Sequence, residues 1–122
     1  MKINEFLQKY RRVLHGMNVT RPRVKCDDGY TVSVQAGWGI YSLPREDADV
    51  YAAVELGYPS AGDEELRPYA ENPDDLLATV YGYVPVTLVD AVLEKHGGIV
   101  GADFSNDHAG RWKESCTCPR SC

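Results

Sequence analysis

The constraint that narrows the fold most is the turn Asp27-Asp28-Gly29 together with the residues around it. Tyr30, Val32 and Val34 alternate with Thr31, Ser33 and Gln35, and that period of two puts the larger apolar groups on one face of a strand. Val24-Lys25-Cys26 stands on the other side of the turn, and Asp-Gly supplies the positive φ that a tight reversal needs. A hairpin follows, with one face turned to a core.

Before it, Ile3, Phe6, Leu7, Tyr10, Val13 and Leu14 repeat at helical spacing, with Lys2, Lys9, Arg11 and Arg12 off the stripe and Gly16 as a stop. An amphipathic N-terminal helix is expected, and Arg21-Pro22-Arg23 then breaks into extended chain. After the hairpin, residues 39–43 read as a third strand, 44–49 as a loop, and 50–57 as a fourth strand with Tyr51, Ala53, Glu55 and Gly57 on one side. Residues 63–70 suit a short acidic helix with Leu66 and Tyr69 inward, and Asn72-Pro73 ends it. Residues 79–84 form a further strand in which Gly82 marks a bulge or a close backbone approach, and which sets Tyr81 and Tyr83 on one face.

Pro85 is suited to open a second helix, with Val89, Val92, Leu93 and His96 inward and Gly97 as its left-handed stop. A last strand falls at Ile99-Val100. The expected architecture is α+β: an N-terminal amphipathic helix, an antiparallel meander, and a second helix after the last long strand. At 122 residues the whole is one domain, with residues 101–122 an irregular, cysteine-containing tail.

Hydrophobic residues at 43% and charged residues at 25% are globular values and argue against a disordered chain or a fibre. No apolar run reaches the length that spans a bilayer, and Met1 to Phe6 has neither the apolar stretch nor the cleavage site of a signal peptide, so a cytoplasmic protein is expected. The net charge of −5 hides an asymmetry, since residues 1–25 hold seven basic side chains against one Glu while residues 26–100 hold fourteen acidic against three basic. This favours pairing of the basic arm with the acidic body, an acidic face for a basic partner, or a solvated surface.

The tail offers His108, Cys116, Cys118 and Cys122, the donor set of a Cys3His zinc site, though Cys-x-Cys is not the usual zinc knuckle. Zinc with Cys26 or His96 as substitute ligands, a disulfide among the four cysteines, and free thiols all stay open. No other cofactor is expected. His96 and His15 read as helix-terminal residues, aided by the dipole when charged. The serines at 33, 42, 60, 105, 115 and 121 lie in no context that activates a hydroxyl, and the acidic pairs and triplets look like surface runs, so no enzyme is expected. For recognition the candidates are Trp38, Tyr41, Tyr58, Tyr81 and Tyr83, with Asp63, Glu64, Glu65, Asp74 and Asp75 as an acidic surface. Acidic surroundings argue against direct nucleic-acid binding.

The phrases Tyr51-Ala52-Ala53-Val54-Glu55-Leu56-Gly57-Tyr58-Pro59-Ser60, Val80-Tyr81-Gly82-Tyr83-Val84-Pro85-Val86 and His96-Gly97-Gly98-Ile99 resemble those of small uncharacterised bacteriophage and prophage proteins. The resemblance covers residues 20–100, excludes the cysteine tail and carries no catalytic motif. It implies a bacterial host cytoplasm and, with the acidic body, a non-enzymatic inhibitor of a host defence or nucleic-acid-handling protein, anti-CRISPR-like in acting by protein–protein contact. Two other readings stand beside it. One is an oligomer that sequesters a nucleotide signal, with Tyr81 and Tyr83 on the base and Arg21 or Arg23 on the phosphates; the other is a self-associating virion accessory protein.

Overall fold

A computed structural model describes residues 1–13 and 19–104 of the chain. Helix α1 (Ile3–Lys9) opens it, followed by a small antiparallel pair, β1 (Arg12–Val13) and β2 (Val19–Thr20). Strands β3 (Arg23–Cys26), β4 (Thr31–Gln35), β5 (Ala53–Gly57) and β6 (Val80–Pro85) then form an antiparallel meander. Helix α2 (Val86–Lys95) takes the chain from β6 to the far edge, where β7 (Ile99–Asp103) pairs with β3, so the sheet order is β6-β5-β4-β3-β7. The architecture is α+β, as the periodicities require.

Alternation decides which face is covered. Val24, Cys26, Val32, Val34, Val54, Leu56 and Val84 point to one side and are buried together with Ile3, Phe6 and Leu7 of α1 and Val89, Val92 and Leu93 of α2. A helix as short as α1 does not hold in water alone. Its three buried side chains, at about 1.5–3 kcal/mol each, supply what its backbone lacks. The opposite face carries Thr31, Ser33, Gln35 and Glu55, all half-buried and polar.

Helix α1 stops at Lys9, well short of Gly16, because a buried arginine ends it. Arg21, 3% exposed, donates from Nε to the Leu7 carbonyl at 2.9 Å and from Nη1 to the Ala36 carbonyl at 2.9 Å. A guanidinium fits the negative end of a helix, and the chain beyond Tyr10 is left free to pair as β1. Residues 14–18, with Gly16 and His15, lie outside the described residues.

Residues 39–43 do not form a strand. Ser42 is fully buried; its Oγ accepts the Gly37 N–H at 3.1 Å and donates to the Pro44 carbonyl at 2.8 Å, which folds the segment into a loop whose one ladder-type pairing with the sheet, among the described residues, is the bridge of Leu43 to Ala53. The fourth strand begins at Ala53 rather than at Val50, since Tyr51 is taken by α1: Asn4 donates to its carbonyl at 3.0 Å and accepts its N–H at 2.9 Å. The acidic helix is a 3-10 turn, Glu64–Tyr69, with Leu66 inward and Tyr69 half-buried. The last strand runs on to Asp103, so residues 101–103 belong to the sheet and not to an irregular tail.

The hairpin closes through hydrogen bonds from Gly29 N–H to the Cys26 carbonyl at 3.0 Å and from Cys26 N–H to the Tyr30 carbonyl at 2.8 Å. Its turn docks on the end of α2, with Asp27 N–H donating to the Gly98 carbonyl at 3.0 Å and Asp28 N–H to the His96 carbonyl at 3.1 Å. Gly97 sits at φ +94, and a Cβ there would stand 2.8 Å from the Cβ of Asp27. Gly98 has a similar φ of +87 with nothing near its missing Cβ. Gly98→Ala should therefore cost only the left-handed strain of about 1–2 kcal/mol, and Gly97→Ala clearly more, read as a lower urea midpoint at unchanged slope. Equal losses would mean that the turn does not press on Gly97.

Candidate interaction surface

The loop spanning residues 37–50 carries exposed aromatic and apolar groups, and the fold holds it from several directions. The polar side of α1 supplies one hold: Asn4 grips Tyr51, Gln8 Nε2 donates to the Asp49 carbonyl at 2.7 Å, and Arg11, just past the helix, forms an ion pair with Asp47. Tyr51, buried, supplies another, its hydroxyl accepting the Ala48 N–H at 2.9 Å and donating to the Glu46 carbonyl at 3.0 Å. Arg21 and Ser42 fix the loop's beginning.

On this base Trp38 is 55% exposed, Leu43 50%, and Tyr41 and Tyr83 40% each. Such groups, carried on a loop fixed by hydrogen bonds, make this a candidate contact surface. Tyr83 reaches the loop through a break in β6. Val84 opposes Val54 and Tyr81 opposes Leu56, so Gly82 and Tyr83 together face Glu55 as a bulge. Tyr83 takes φ 53, where a side chain is strained by about 1 kcal/mol, and its N–H donates to the Tyr41 carbonyl at 3.0 Å. Gly82 makes room for this: a Cβ there would lie 3.3 Å from the Cβ of Tyr41. The Tyr41 and Tyr83 rings stand 5.7 Å apart, centroid to centroid, at 36°. Arg45 lies over Tyr41 with Cζ 5.5 Å from the ring centre, and Glu55 Oε2 accepts the Tyr41 N–H at 3.3 Å.

The bulge overturns the expectation that Tyr81 and Tyr83 share a face. Tyr81 is fully buried and its hydroxyl donates to the Leu76 carbonyl, because the extra residue turns Tyr83 outward and leaves Tyr81 on the core side. Tyr58, 54% exposed with φ 50, stands apart at the end of β5, its carbonyl accepting from Arg23 at 2.6 Å. Of the acidic candidates, Glu64 pairs with Arg67 at 2.7 Å and Glu65 with Lys95 at 2.9 Å, while Asp74 and Asp75 are exposed. This acidic segment runs along the outer edge of β6, where Ala70 bridges to Tyr81 and Glu71 N–H donates to the Val80 carbonyl at 3.0 Å. It leads away from Tyr83, since Glu71 lies beside Val80 and Asn72 N–H donates to the Thr79 hydroxyl. The zinc candidates His108, Cys116, Cys118 and Cys122 lie outside the described residues.

Asp63 is not a surface acid. It is 3% exposed, and its Oδ1 meets Lys95 Nζ at 2.6 Å and His96 Nε2 at 3.0 Å. His96 Nδ1 lies 2.7 Å from Asp28 Oδ2, and the ring stacks on Tyr30 at 3.8 Å and 6°. With a carboxylate at each nitrogen, the ring fits as an imidazolium that donates twice. It then has no lone pair for base catalysis or for a metal. Burial disfavours its charge, yet the two carboxylates outweigh this and raise its pKa above the ordinary 6.5. Cys26, next to the cluster, is pushed up to about 11 by burial and by the charges of Asp28 and Asp63, so its thiol is protonated and unreactive at neutral pH. The buried Tyr30 hydroxyl faces the buried Asp63 carboxylate, and burial together with that charge raises the Tyr30 pKa.

No signal in the sequence joined His96 to Asp28 and Asp63, which lie 68 and 33 residues away. Comparison of the chain with protein-family models, with curated proteins and with solved structures finds no match. Among the described residues no helix is long and apolar enough to cross a membrane, and no three His, Cys, Asp or Glu side chains gather as metal ligands.

The His96 cluster makes stability depend on pH in a definite sense. The folded pKa of His96 lies above 6.5, so its contribution is complete below that pH and lost as pH rises through the folded value. Hydrogen bonding from His96 lowers Asp28; burial resists the charge on Asp63, but Lys95 and His96 overcome it, so both acids lie below 3.8 and their contribution is lost as pH falls through those values. Thermal midpoints should be flat between about pH 4 and 6.5 and fall on either side, with His96→Gln flattening the alkaline fall. An alkaline fall that survives His96→Gln unchanged would place its origin elsewhere.

Proposed function

We propose that this protein is a binding protein: a small acidic protein of phage type that acts as a non-enzymatic inhibitor of a host defence or nucleic-acid-handling protein, by protein–protein contact in the bacterial cytoplasm. The observation that carries this reading is Tyr83, strained at φ 53 and 40% exposed beside Tyr41 on a loop fixed by buried polar groups. Strain and exposed aromatic surface both lower stability, and they persist where contact with a partner offsets them. Tyrosine and tryptophan are the side chains that anchor such contacts, since they bring rigid area and a polar edge. The resemblance to phage proteins and the acidic middle of the chain supply the setting, in which a basic protein that handles nucleic acid is the complementary partner.

The nucleotide-sequestering reading keeps the exposed Tyr83 but has less support from the other residues it would use. Tyr81 and Arg21 are buried, and Arg23 Nη2 donates to the Thr31 carbonyl, the Thr31 hydroxyl and the Tyr58 carbonyl.

The test compares the protein with a Tyr41→Ser/Tyr83→Asn variant, in which asparagine tolerates the left-handed backbone. Immobilised on a resin and exposed to bacterial lysate, the unaltered protein should capture a nucleic-acid-handling protein that the variant loses, and adding it in solution should block that protein's nucleic-acid binding. Identical captured sets for both proteins would refute the reading.

A further inference from the structure

We propose that the Tyr41–Tyr83 surface is an acceptor for an arginine side chain of a basic partner protein, with Arg45 as its internal stand-in. This rests on the reading of the surface as a protein-contact site and adds the chemistry of what it takes. The argument begins with Arg45. Its guanidinium lies over the Tyr41 ring at 5.5 Å, within the distance at which a cation is attracted by an aromatic face, and its Nε donates to the Ile40 carbonyl at 3.2 Å. The surface thus already holds the group it is suited to hold. Tyr41 and Tyr83, 5.7 Å apart and tilted by 36°, stand too close to admit a side chain between them. A second guanidinium therefore lies across their outer faces.

Charge points to the same occupant. Glu55, the residue that the bulge faces, accepts the Tyr41 N–H through Oε2 and has a second carboxylate oxygen for a donor. Glu46 and Asp49 are exposed on the same loop. Arginine suits this combination better than lysine, because a planar guanidinium stacks on a ring while its edge donates two hydrogen bonds to a carboxylate. A nucleic-acid backbone or an acidic peptide would be repelled by the same carboxylates.

The test is an NMR titration of the full chain with a blocked Arg-Gly-Arg-Gly-Arg peptide, and with its lysine and glutamate counterparts. The arginine peptide should shift the amides of Tyr41, Glu55, Gly82 and Tyr83 at low salt. Glu55→Gln should weaken it by about two- to fivefold, the range of one exposed cation–π or charge contact. Arg45→Gln should tighten it, because the competing internal cation is gone. Shifts that miss these residues, that are equal with the lysine peptide, or that are indifferent to both substitutions would overturn the proposal. If the Tyr41→Ser/Tyr83→Asn variant loses a captured protein while the arginine peptide leaves the surface unmoved, the contact reading survives and this one fails. If the arginine peptide binds as expected while both proteins capture the same set, the contact reading fails and the arginine acceptor stands.

Discussion

Much of the structure depends on one buried charge. Placing a guanidinium at 3% exposure costs several kcal/mol unless its donors are met, and Arg21 forms no ion pair with a carboxylate of the described residues. It uses backbone carbonyls instead, Leu7 at the negative end of α1 and Ala36 at the end of β4. That choice joins the helix, the segment leading into β3 and the loop that carries Tyr41. The helix stops, the chain turns into β1, and the loop starts from a fixed point.

The second such knot is His96. Asp28 comes from the hairpin turn and Asp63 from the approach to the 3-10 helix, and each reaches one nitrogen of the ring at the end of α2. Tyr30 covers a face of the ring, and Lys95 shares Asp63. An arrangement of His between two acids resembles catalytic machinery at first sight. Its saturation argues for a structural joint: every site on the ring that could take or give a proton is already occupied by a carboxylate. The joint ties the long segment before β6 to the rest of the body, and so steadies the edge on which the tyrosine surface is built.

That surface shows how a local sacrifice is supported by distant packing. A bulge, a left-handed tyrosine and a loop held by hydrogen bonds are each unfavourable alone. They are tolerated because β5 and β6 are anchored by Val54, Leu56, Tyr81 and Val84 in the core, and because Asn4 and Gln8 of α1, with Arg11 just past it, brace the loop. Rings held in place in this way would lose less ordering entropy in any contact they make.

The sequence by itself determined the elements whose causes are local. Alternation from Tyr30 to Val34, the Asp-Gly reversal, Pro85 at the start of α2 and Gly97 at its end each act within a few residues, and the α+β class follows from them. It also marked Gly82 as a bulge or close approach, and of the residues it named as recognition candidates Trp38, Tyr41 and Tyr83 are exposed. It overextended α1, made a strand of residues 39–43, put Tyr81 beside Tyr83 and took Asp63 for a surface acid. Each of those errors has a remote cause: Arg21 ends a helix that its own periodicity would continue, buried Ser42 folds a segment with strand-like composition, the register against β5 forces the bulge, and His96 with Lys95 draws Asp63 inward. Periodicity reports how a segment packs on a core, whereas a hydrogen bond between residues far apart in the chain leaves no period to read, so only the tertiary structure decided them.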